Sequence, residues 1–79
     1  MMADFRTAGL SEEALTSLGL TRREIEVLDW ITHGKRDAEI ATILGISART
    51  IGKHVENILR KLQVENRSAA VAAARNRKA

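Results

Sequence analysis

Four apolar residues, Ile51, Val55, Ile58 and Leu62, recur at i, i+4, i+7 and i+11 within residues 47–62, with Leu59 beside them. That period puts them on one face of an α-helix and leaves Arg49, Gly52, Lys53, Glu56 and Arg60 on or near the opposite face. Such a helix draws most of its stability from whatever covers its apolar stripe, so further helices must pack against it. Just before it, Gly45-Ile46-Ser47 supplies a reversal. Gly45 tolerates a left-handed backbone, Ile46 pins the turn to the core, and Ser47 is a good N-cap. A short helix, a tight turn and a long amphipathic helix are therefore expected.

The flanking segments carry their own start and stop signals. Thr21-Arg22-Arg23-Glu24 has the form of a capping box, with Val27, Leu28 and Ile31 behind it on one face and Gly34 at the end. This predicts a helix over about residues 22–33. Asp37 is read as the N-cap of the next, short helix, whose Ile40, Ala41 and Leu44 form a stripe stopped at Gly45. After a break at residues 63–65, Asn66 is expected to cap a last helix holding Val71 and the small residues Ala69, Ala70, Ala72, Ala73 and Ala74. Residues 1–19 read as a linker or packing arm. Ser11-Glu12-Glu13 suits a helix start there, but Gly9 and Gly19 bracket barely two turns. The domain proper is taken as residues 20–76, with 77–79 as a frayed tail.

Composition agrees with an all-α reading. The 79 residues suffice for one small domain, Pro is absent, and only Phe5 and Trp30 are aromatic, so the core must come from Leu, Ile, Val and Ala. With no Cys, neither a disulfide framework nor a thiolate metal site is available. No apolar stretch approaches the roughly 20 residues that span a bilayer, and a cytoplasmic protein without a membrane partner is expected. His33 and His54 lack a second ligand at metal-binding spacing. No nucleophile elbow, phosphate-cradling glycine loop or paired-carboxylate motif occurs. The expectation is a non-enzyme with no cofactor and no small-molecule ligand within this chain.

The net charge of +3 is unevenly spread. Residues 1–20 carry −2 and residues 21–46 carry −1, whereas residues 47–62 carry +3 and residues 66–79 carry +4, with Glu65 between them. A helix with one basic face matches the width of the DNA major groove. Arg22, Arg23, Arg49, Lys53, Arg60 and Lys61 are candidates for the electrostatic part of such binding. Periodicity alone fits a helical bundle with a solvated basic face equally well.

Residue identities add a resemblance. Leu20-Thr21-Arg22-Arg23-Glu24, Val27-Leu28, Gly34, Glu39-Ile40-Ala41, Leu44-Gly45-Ile46-Ser47, Thr50-Ile51, His54, Asn57-Ile58, Lys61-Leu62 and Asn66-Arg67 closely resemble the LuxR-type (GerE-like) DNA-binding domain. The likeness runs in register from residue 20 to about 74. It implies a four-helix helix-turn-helix domain of a bacterial transcription regulator, with the helix at about 48–62 in the major groove of double-stranded DNA. It also implies a homodimer through the C-terminal helix, for which Ala70, Val71 and Ala74 are the candidate contacts. Some members of this family are small isolated regulators, and more are the output domain of a response regulator or of a ligand-sensing protein.

Carried over by position, the resemblance assigns Thr50 and its neighbours to phosphate contacts and Gly52, Lys53 and Glu56 to the groove-facing surface. His54 matches a family His, for DNA backbone contact or packing on the helix flank. The chain departs from the pattern at Gly52 and Glu56, where many relatives carry basic residues, and at Ala38, where Lys is common. A glycine inside a helix costs about 1 kcal/mol relative to Ala. Either it lets the backbone approach base edges closely while Lys53 reaches guanine, or it is a neutral surface substitution. Glu56 suits cytosine N4 rather than phosphate. Two other readings stand beside this one: a sigma-factor-like helix-turn-helix that contacts RNA polymerase, and a helical protein-interaction module that has lost DNA binding.

Overall fold

The structure is a computed structural model that describes residues 11–75. The first ten residues of the arm, residue 76 and the 77–79 tail lie outside the described residues. Five helices and no strands occur among those described: α1 (Glu12–Ser17), α2 (Arg22–Thr32), α3 (Asp37–Leu44), α4 (Ala48–Leu62) and α5 (Arg67–Arg75). The last four are the helices expected from the sequence. The first lies in the segment read as an arm, where Ser11 accepts from the Ala14 amide at 3.0 Å and Gly19 turns the chain back at φ 96°. That turn carries Leu15 and Leu20 into the core, so this stretch packs as a helix and is not merely a linker.

Local chemistry accounts for most of the boundaries. Thr21 and Glu24 form the full capping box: the Thr21 hydroxyl accepts from the Glu24 amide at 3.1 Å and the Glu24 carboxylate accepts from the Thr21 amide at 2.9 Å. At the other end of α2, the Gly34 amide reaches the Ile31 carbonyl and the Lys35 amide reaches that of Trp30. This paired closure needs the left-handed backbone that Gly34 adopts at φ 81°. Ser47 caps α4 by accepting from the Thr50 amide at 3.0 Å, and Asn66 caps α5 by accepting from the Ala69 amide at 2.8 Å.

The start of α3 differs from expectation. Asp37 is its first helical residue and Arg36 occupies the N-cap, where the Glu39 carboxylate accepts from the Arg36 amide at 2.8 Å. The Asp37 carboxylate is drawn elsewhere, to the guanidinium of Arg67 at the start of α5. Arg67 also donates to the Lys35 carbonyl, and Arg75 donates to the Thr32 carbonyl at 2.7 Å. The two ends of α5 thus hold the two ends of the connection that leads from α2 into α3.

The core is aliphatic. Val27, Leu28 and Ile31 of α2, Ile40 and Ala41 of α3, Ile51, Val55 and Ile58 of α4, and Ala70 of α5 form one buried cluster with Leu15 and Leu20. Each fully buried Val, Leu or Ile contributes about 1.5–3 kcal/mol relative to exposure. Helix α4 packs against α2, α3 and α5, so the turn between α3 and α4 is held by the core on both sides.

Candidate nucleic-acid interface

With Ile51, Val55 and Ile58 fixed inward, helical geometry directs the other side of α4 to solvent. Ala48, Arg49, Thr50, Lys53, Glu56 and Arg60 are all exposed, and Gly52, His54 and Asn57 lie on the half-buried flanks. Arg49, Lys53, Glu56 and Arg60 form one outward stripe of three cations and one carboxylate. Lys53 and Glu56 approach within 4.0 Å, a solvated pair worth little for stability, and Arg60 donates to the Asn57 side chain at 2.9 Å. Neither arrangement buries charge, so both cations remain available to a polyanion. At the N-terminus of α4 the Ser47 hydroxyl donates to that of Thr50 at 2.9 Å, holding both hydroxyls beside the exposed first turn.

Arg22 and Arg23 are exposed in the first turn of α2, with Arg23 paired to Glu26 at 3.3 Å. The first turn of α2 meets the last turn of α4 through Glu24 and Lys61. The two arginines therefore lie toward the Arg60 end of the stripe, roughly 20 Å along the helix axis from Ala48.

Lys61 does not join the stripe. Its ammonium donates to Glu24 Oε1 at 2.8 Å, and its side chain retains only 21% of its exposure. Glu24 itself is the one buried charged residue among those described, 3% exposed. Burial pushes its carboxyl up, but the Lys61 hydrogen bond, the Thr21 amide and the charges of Lys61 and His54 outweigh this and hold it below its ordinary value of 4.5. Glu24 thus joins α2 to α4 as well as capping α2. The signal was present in the spacing, since residues 24, 27, 28 and 31 share one helical face.

The C-terminal helix also differs from expectation. Ala70, expected at a dimer contact, is 1% exposed and packs in the core of this chain. Val71 and Ala74 are half-buried against the same core, and Ser68, Ala72 and Arg75 are exposed. Arg67 and Arg75, half of the basic charge of residues 66–79, serve as internal ties. Among the described residues of the second half, Arg49, Lys53 and Arg60 are the exposed cations not drawn into a tie between helices.

His33 is exposed, hydrogen-bonded through Nδ1 to the Asp29 carbonyl at 2.7 Å, with its ring 6.0 Å from that of Trp30. No group of three or more potential metal ligands occurs among the described residues, and no helix among them is long and apolar enough to cross a membrane.

The model of the family described as bacterial regulatory proteins, luxR family, matches residues 18–74. The chain belongs to the LuxR family. The matched span covers α2 to α4 in full and all but the last residue of α5, so it includes α3, the Gly45-Ile46-Ser47 turn and α4. Similar proteins include the transcriptional activator protein AnoR of Acinetobacter nosocomialis, 48% identical over 72% of this chain and 24% of the relative. The transcriptional regulatory protein LiaR of Bacillus subtilis is 47% identical over 82% of this chain and 31% of the relative. The nitrate/nitrite response regulator protein NarP of Escherichia coli is 45% identical over 65% and 24%. This LuxR-family chain spans about a quarter to a third of the length of these curated relatives.

Proposed function

We propose that this chain binds double-stranded DNA sequence-specifically in the bacterial cytoplasm, as the output module of a transcriptional regulator, by laying α4 in the major groove. The observation that carries this reading is the outward stripe of Arg49, Lys53, Glu56 and Arg60, directly opposite the buried stripe that fixes α4 to the core. A helix with side chains is about 10–12 Å across and the groove about 12 Å wide. Arg49 and Arg60, with Arg22 and Arg23 at one end, neutralise phosphates, and Thr50 at the helix N-terminus donates to the backbone. Lys53 reaches guanine and Glu56 accepts from cytosine N4. Lys61 is left out of the contact set because its charge is committed to Glu24.

Two copies pair through the outer face of α5, with Val71 and Ala74 at its edge and Ala70 excluded by its burial. A two-fold pair of this kind presents α4 twice, about 34 Å apart, to successive major grooves of a palindrome. The relatives named for transcriptional activation and response regulation support this use of the module. Selection from a random duplex library tests the reading. Enrichment of a palindrome with half-sites one helical turn apart is expected; absence of duplex binding even at low salt refutes it and favours a protein-interaction module.

A further inference from the structure

Gly19, Gly34 and Gly45 sit at φ 96°, 81° and 72°, where an L side chain is strained. Gly52 differs from all three. It lies inside α4 with no positive φ, and a Cβ built on it meets no heavy atom within 4 Å. Neither backbone conformation nor a close-packed neighbour requires a glycine here, although glycine weakens the interior of a helix. The fold supplies no reason for the missing side chain. Gly52 lies in the second turn of α4, one turn from Arg49 and one turn from Glu56, on the flank of the outward stripe.

We infer that Gly52 is a specificity-determining residue whose bare Cα admits a thymine C5-methyl group against the backbone of α4. This rests on the DNA reading above. A helix nearly fills the major groove, so the loss of one side chain sets how closely the backbone meets the base edges at that step. The thymine methyl is the bulky apolar feature of the groove floor, and an uncapped Cα offers an apolar surface with room for it. Lys53 and Glu56 then read polar edges on the neighbouring base pairs.

The test compares the intact chain with Gly52→Ala on the duplex selected by the wild type, and on the same duplex with thymines replaced singly by uracil, which lacks the methyl group. Ala removes a helix-weakening glycine, so Tm rises by about 4–8 °C. Affinity for the selected duplex falls about tenfold, and one uracil position weakens the wild type several-fold while leaving Gly52→Ala unaffected. A stabilised Gly52→Ala variant that keeps the wild-type affinity, or that responds to every uracil as the wild type does, overturns the inference and leaves DNA binding standing. A wild type that enriches no duplex overturns the DNA reading and this inference with it.

Discussion

Removing Lys61 should damage the fold far more than removing any other lysine or arginine on α4. Lys61→Ala leaves the Glu24 carboxylate 3% exposed, with the Thr21 amide at 2.9 Å as its remaining donor in place of two. Breaking a buried ion pair by deleting one partner costs about 3–5 kcal/mol. Because the Lys61 side chain keeps about a fifth of its exposure, water reaches the vacated position and the loss falls at or just under the bottom of that range, about 2–3 kcal/mol. A 79-residue domain has a total stability of about 4–12 kcal/mol, so Tm should fall by about 10–20 °C.

The deficit should also depend on pH in a definite direction. In the native protein Glu24 titrates below 4.5, so its stabilising contribution is complete above that value and is lost as pH falls through the folded value. Without Lys61, only the Thr21 amide and the charge of His54 oppose burial, so the folded value rises from its lowered position and the ionised form loses most of its stabilisation at neutral pH. The gap between wild type and Lys61→Ala is therefore widest near pH 7 and narrows below about pH 5. Glu24→Gln combined with Lys61→Met removes both charges but keeps an acceptor for the Thr21 amide, and should recover most of the loss. Urea unfolding of the wild type, Lys61→Ala and the double variant at pH 7 and at about pH 4.5 measures this. A Lys61→Ala deficit under about 0.5 kcal/mol, or one equal at both pH values, refutes the argument.

Ser47→Ala should cost about 1 kcal/mol and lower Tm by about 4–8 °C through loss of the α4 cap, whereas Ser47→Asp should retain stability and weaken DNA binding by placing a carboxylate beside phosphate; thermal melts and duplex titrations separate the two effects. Val71→Glu should weaken palindrome binding far more than half-site binding, and equal losses on both would count against pairing through α5. Ala70→Glu, by contrast, buries a charge inside the subunit and should unfold the domain, seen by circular dichroism without any DNA present.

The features legible in the sequence are those set by neighbours in the chain. Thr21, Ser47 and Asn66 cap the helices they were expected to cap, and Gly34 and Gly45 end α2 and α3, because each acts within one turn of itself. The stripe of α4 was legible because its period is regular. What escaped depends on residues far apart in the chain. Asp37 looks like a cap until Arg67, thirty residues later, takes its carboxylate. Lys61 looks like a phosphate ligand until Glu24, thirty-seven residues earlier, takes its ammonium. Ala70 and Ala74 are the same residue type, and only packing shows that the first is the buried one. Charge counted along the chain also overstated the C-terminal helix, since Arg67 and Arg75 are tied to the α2–α3 connection.

The central claim is that the exposed cations of α4 form the DNA-facing surface. It is tested most directly by measuring duplex affinity against salt for the wild type, for Arg49→Ala, Lys53→Ala and Arg60→Ala combined, and for Arg67→Ala. Each cation withdrawn from a phosphate lowers the slope of log affinity against log salt by about 1, so the triple variant, which removes the phosphate contacts of Arg49 and Arg60, should lose about 2 per bound subunit while Arg67→Ala keeps the wild-type slope. A triple variant that folds and retains the full slope would contradict the account.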